Sequence, residues 1–127
     1  MMDANRGAVR AAVMDYFAGW FDGDAARMEG ALHPDLVKRG MRRDVAGAQL
    51  TSASTAPEMI RWTAEGEGMS ERPDDLTIEI RVDDLYGSIA NATVYSTVYV
   101  EYLQLVKTSA GWKIVGALWM RRYETAG

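Results

Sequence analysis

An α+β fold is the class this sequence predicts, and two observations carry it. Apolar residues in the first quarter of the chain recur at steps of three and four, the helical period. From Leu76 onward they alternate in twos or gather in runs rich in β-branched and aromatic side chains. Helices therefore come first and antiparallel strands follow, the order of a segregated α+β domain. The 127 residues fit one domain, 1–127, large enough to bury roughly two-thirds of its unfolded surface.

The first helix is expected over Asn5–Phe21, with Val9, Val13, Tyr16, Phe17 and Trp20 on one stripe and Asp3 or Asn5 as its cap. Asp22-Gly23-Asp24 stops it, and Asp24 caps a short second helix, Ala25–Leu32. His33-Pro34-Asp35 ends that helix, because a residue before proline disfavours helical angles. A short strand follows at Leu36–Met41, then a loop over Arg42–Ser54. Thr55-Ala56-Pro57-Glu58 combines a hydroxyl cap, an early proline and a glutamate three residues on, which starts a third helix running to about Glu65. Gly66-Glu67-Gly68 ends it, and Met69–Asp75 is a polar connection. Leu76–Leu85 alternates cleanly between Leu76, Ile78, Ile80, Val82 and polar neighbours, a strand with one buried face. The apolar run from Ile89 to Val106 is too long for one strand, and a turn is expected near Ser96-Thr97. Tyr99–Arg121 reads as a hairpin whose longer loop is Lys107–Gly111. In its second strand Val115, Ala117, Trp119 and Arg121 share one face by alternation, and Ile114, Gly116, Leu118 and Met120 the other. Both faces are largely apolar, so both are expected to be covered.

Composition excludes several functions. There is no cysteine, hence no disulfide framework or thiolate chemistry, which fits a reducing cytoplasm. A net charge of −4 argues against nucleic-acid binding. The basic cluster Lys38, Arg39, Arg42, Arg43 reads more simply as a charged strand edge. The start lacks a basic region followed by an apolar run of signal length, and no apolar run approaches the about 20 residues of a membrane span. One histidine and no cysteine give no support for a metal site, and no phosphate loop, serine elbow or redox motif is present, so no cofactor is expected.

Four pieces carry a family resemblance: Tyr16-Phe17-Ala18-Gly19-Trp20 followed by Gly23-Asp24, then Leu32-His33-Pro34-Asp35, then Tyr102-Leu103-Gln104-Leu105, and Gly111-Trp112-Lys113-Ile114-Val115. In this order and spacing the chain resembles the nuclear transport factor two-like superfamily and, within it, the putative lumazine-binding protein family. The resemblance implies a cone of about three helices packed on a curved, mostly antiparallel mixed sheet, also described as cystatin-like. The superfamily includes ketosteroid isomerases, scytalone dehydratase, SnoaL-like polyketide cyclases and proteins that only bind, so fold alone does not choose an activity. Nothing in these residues reads as a pterin site.

Residue by residue, Tyr16 stands eight before Asp24, as does the oxyanion-binding tyrosine of ketosteroid isomerases. Glu101 falls where those enzymes carry a protonated acid. Where they have a general-base aspartate, at the end of the first short strand, this chain has Gly40, with Arg39 before it. Without that base, isomerisation by the known arrangement is not expected. Tyr16 and Glu101 remain candidates for polarising a substrate oxygen or for fixing a ligand. Glu101 has a second reading, on a dimer face beside an arginine of the partner. His33 is either a base at the pocket edge or a helix-ending residue favoured by the dipole. Arg39 either meets an anionic ligand or guards an edge strand. Trp20, Met59, Trp62, Tyr99 and Trp119 are expected to line a pocket for a flat apolar ligand, with Met41 beside them.

Small-molecule binding in an aromatic pocket is thus the expected function. The alternative is an isomerase, dehydratase or cyclase using Tyr16 and Glu101 with an unidentified base. A homodimer through the outer sheet face is expected in either case, since Ile114, Leu118 and Met120 would otherwise be exposed.

Overall fold

The structure is a computed structural model that describes residues 2–44 and 47–122. Ten elements follow in order: α1 (Met2–Asp22), α2 (Ala25–Ala31), β1 (Leu32–Asp44), β2 (Gly47–Leu50), α3 (Ala56–Ala64), α4 (Glu67–Ser70), β3 (Ile78–Tyr86), β4 (Ile89–Ser96), β5 (Tyr99–Thr108) and β6 (Gly111–Arg121). The strands form one mixed sheet in the order β2-β1-β6-β5-β4-β3. Among the described residues only the β1–β6 pairing is parallel.

Helix α1 buries Val9, Val13, Tyr16 and Phe17 of the expected stripe and adds Phe21, while Trp20 is only half-buried. It begins earlier than its sequence suggests, so Asp3 and Asn5 stand inside the helix and not before it. Arg6 and Arg10, one turn apart, donate to the carbonyls of Val82 (2.7 Å) and Ile80 (2.8 Å). Those carbonyls lie on the free edge of β3, and the contacts block that edge against further strand pairing. Asp24 caps α2, its carboxylate accepting from the Arg27 N–H at 3.1 Å. The capping box of α3 is complete: Thr55 N–H donates to Glu58 (2.9 Å) and Glu58 N–H donates to Thr55 (3.3 Å).

Four elements depart from the sequence reading. Strand β1 starts at Leu32, directly after α2, and runs past Met41 to Asp44. The register against β6 jumps between Leu32 and Val37, and Pro34 is accommodated in that irregular stretch. The expected loop Arg42–Ser54 contains β2, which pairs with Met41–Asp44; all four of its residues are exposed, so no burial pattern marks it. Gly66, at φ 84°, ends the third helix as expected, and a further short helix, α4, follows at once. The β5–β6 loop is shorter than expected, with Thr108 paired to Gly111 across two residues.

The largest correction concerns β6. Gln104 pairs with Gly116 and Leu105 with Ile114, so Val115 is an extra, bulged residue. Alternation breaks there. Ile114 is fully buried and joins Ala117 and Trp119 on the inner, helix-covered face, while Leu118 and Met120 stay on the outer face. The bulge fixes which face is which, and simple alternation could not.

Candidate functional site

The inner face of the sheet and helices α1, α3 and α4 border an open-mouthed cavity of about 280 Å³. Tyr16 enters it from α1. Its hydroxyl donates to Glu101 Oε2 at 2.6 Å, and both side chains are 2% exposed. Glu101 points inward because β5 alternates, with Glu101, Leu103 and Leu105 buried between exposed Tyr102 and Gln104. A third group completes the cluster. Lys38 of β1 donates to the Tyr16 oxygen, and its Nζ lies 3.5 Å from Glu101 Oε2. The ammonium also sits 4.9 Å from the Tyr16 ring centre and 6.0 Å from that of Trp20, within cation–π range.

Lys38 was legible only by strand parity. Leu36, Lys38 and Gly40 face inward; Val37 and Arg39 face outward. The structure therefore places Arg39 outside the cavity, on the outer face, donating to the Thr51 carbonyl at 3.3 Å. Lys38 is not a strand-edge charge but a half-buried partner of Glu101. His33 also lies elsewhere: its Nδ1 accepts from the Asp35 N–H at 3.0 Å, in a surface hollow with Pro57 and Ile60.

The aromatic candidates do converge. Trp20, Met59, Trp62, Tyr99 and Trp119 all line the cavity; Met41 lies instead on the outer side of the sheet. Trp119 stacks edge-on against Tyr99 at 5.4 Å and lies directly over Gly40. A Cβ at Gly40 would stand 2.1 Å from the indole, so Trp119 occupies the space a base at that position would need.

Glu71, on the polar connection, is a further residue the sequence did not single out. Its Oε1 accepts from the Trp20 indole N–H (2.8 Å) and from the Tyr99 hydroxyl, and its Oε2 from Arg121 (2.7 Å). One carboxylate thus ties α1, β5 and β6 at the cavity wall. Nothing in the local sequence pattern marks it. Among the described residues no group of three or more His, Asp or Glu side chains is placed to hold a metal.

Burial pushes the Tyr16 phenol well above its ordinary 10.0, and the neighbouring Glu101 carboxylate adds to the shift. Tyr99 is raised too, by burial first and then by its hydrogen bond to Glu71. Both groups hold their protons in the fold. As pH rises through about 10, unfolded tyrosines ionise while these two do not, so the unfolded state gains and stability falls. We expect tyrosinate absorbance from Tyr16 and Tyr99 to emerge only with loss of the circular-dichroism signal. Complete titration of all six tyrosines with the fold intact would contradict this.

A helical layer on one face of a mixed sheet defines a class of small cone-shaped folds. Solved structures share it. The chain is similar to an NTF-2 like protein of unknown function from Silicibacter pomeroyi (15% identity, 96% of this chain and 99% of that one, TM-score 0.74). It is similar to a ketosteroid isomerase-like protein from Erwinia carotovora atroseptica (16% identity, 94% and 98%, TM-score 0.65). It is also similar to a putative dehydratase from the NTF2-like family from Streptomyces avermitilis (16% identity, 98% and 100%, TM-score 0.64). At these identities the likeness is one of fold. The chain belongs to the family described as Putative lumazine-binding, whose model matches residues 4–120. No curated protein matches it.

Proposed function

We propose that this protein binds a small, flat, largely apolar molecule in the cavity between α1, α3 and the sheet, with the Lys38–Tyr16–Glu101 cluster holding its polar end. One observation carries this reading: three tryptophans and Tyr99 wall a cavity whose lining includes a buried ion pair. Burying two charges in apolar surroundings is costly, and an aromatic cavity with a few convergent polar groups is the common form of a ligand site. The family description names lumazine, so lumazine belongs in the first panel of bicyclic and tricyclic aromatic compounds. The expected result is a raised melting temperature with at least one compound, lost in Trp62→Ala and Trp119→Ala. Failure of every compound to shift melting at millimolar concentration would count against the reading.

A second reading, an isomerase, dehydratase or cyclase, has the 2.6 Å Tyr16–Glu101 contact in its favour. Glu101→Gln separates the two: turnover collapses in an enzyme, while binding persists in a receptor.

The chain is proposed to act as a single domain in the cytoplasm, a compartment suggested by its lack of cysteine. No described helix is long and apolar enough to cross a membrane. The outer sheet face is proposed as a homodimer interface. There Val37 is 51%, Tyr102 55% and Leu118 43% exposed, with Tyr102 and Leu118 paired across β5 and β6. Ile114 takes no part in that face. Sedimentation should show a dimer at micromolar concentration and a monomer in Leu118→Glu; a monomeric wild type sinks the proposal.

A further inference from the structure

We infer that the ligand is electrically neutral and that its polar edge both donates and accepts a hydrogen bond, as the N–H and C=O of a lactam do. This deepens the ligand-binding reading and rests on it. Most atoms of the cluster are already used. Tyr16 donates its one proton to Glu101 Oε2, and its oxygen accepts from Lys38. The ammonium also lies against Oε2, at 3.5 Å. Both contacts to the carboxylate therefore fall on one of its oxygens, Oε2, and the third contact is taken by the Tyr16 oxygen. Oε1 of Glu101 has no hydrogen bond among the described residues, and an ammonium with three protons has one left over. The cluster thus offers a ligand one donor, from Lys38, and one acceptor, Glu101 Oε1. Tyr16 is spent on the cluster itself. That differs from an oxyanion site, in which tyrosine and acid both donate.

Charge gives the same answer independently. The charged side chains lining the cavity are Lys38, Arg42, Glu67 and Glu101, two cations against two anions. An anionic ligand would satisfy Lys38 but press an oxygen against Oε1. A ligand with only an acceptor would cover Oε1 without giving it a donor, and an acceptor shut off from water with no partner is costly. A neutral edge carrying N–H beside C=O leaves neither group unpaired.

The test compares three bicyclic probes of similar shape by calorimetry on the wild-type protein: 2-quinolone, which both donates and accepts; quinoline, which only accepts; and 2-naphthoate, an anion. We expect 2-quinolone to bind about tenfold or more tighter than quinoline, the usual worth of a hydrogen bond to a charged group, and 2-naphthoate to bind most weakly. Glu101→Gln removes the anion and leaves Lys38 unneutralised, so the 2-quinolone preference over 2-naphthoate should shrink or reverse. Should that variant not fold, the wild-type order alone decides. Equal binding of 2-quinolone and quinoline, or tightest binding of 2-naphthoate, overturns this inference and leaves the aromatic pocket standing. Binding of none of the three overturns both.

Discussion

Lys38→Met and Glu101→Leu each lower folding stability by about 3–5 kcal/mol, and the double substitution costs far less than their sum. The reason is the environment of the pair. Glu101 is 2% exposed and the Lys38 side chain 14%, so either charge left alone sits where water barely reaches. Removing Lys38 strands a carboxylate whose remaining bond is from Tyr16. Removing Glu101 strands the ammonium and also takes the acceptor from the Tyr16 hydroxyl, itself buried. Removing both leaves an apolar floor in which only the Tyr16 hydroxyl needs a new partner. Urea unfolding of the four proteins measures the cycle. Costs that simply add would mean the two charges act separately, and the cluster would lose its standing as a unit. A pair that contributes so little net stability yet costs so much when broken is better explained by what it presents to the cavity than by what it does for the fold.

Much of the fold was legible because local chemistry and long-range packing agree. The capping box at Thr55–Glu58, the cap at Asp24 and the stripe along α1 each follow from residue type and spacing, and the structure keeps all three. The parts that were not legible depend on partners distant in sequence. β2 has no buried face, and only its pairing with Met41–Asp44 makes it a strand. The bulge at Val115 adjoins Gly116, a glycine whose role the apolar run around it concealed, and it reverses the face of every residue beyond it. The candidate site divides in the same way. Tyr16, Glu101 and the aromatic walls were accessible from periodicity and resemblance. Lys38 was hidden in a cluster of four basic residues where parity alone distinguishes it from Arg39, a neighbour that points the other way. Glu71 belongs to a connection without period, so its contacts with Trp20, Tyr99 and Arg121 arise only when three elements meet.

Gly40→Ala should destabilise the protein by about 3 kcal/mol, the upper end of what overpacking costs, and by well under about 1 kcal/mol in a Trp119→Ala background. Gly40 does not have a positive φ, so glycine is not required there by backbone conformation. What it provides is space. An added Cβ would lie 2.1, 2.5 and 2.6 Å from Cε2, Cζ2 and Cδ2 of Trp119, far inside contact distance. The indole has little freedom to retreat, because Tyr99 meets it edge-on and is itself tied to Glu71. Relief must come from expelling the ring, which also removes a wall of the cavity. Equilibrium unfolding of the two singles and the double gives the coupling, and an equal cost in both backgrounds would show that the clash is not with Trp119. The same geometry bears on function. Gly40→Asp alone should not create isomerase activity, since its carboxylate displaces Trp119 and not water, whereas pairing it with Trp119→Ala opens room for the acid. Glycine at position 40 and tryptophan at 119 thus act as one choice: a flat aromatic wall at the position where the resemblance to ketosteroid isomerases implies a base.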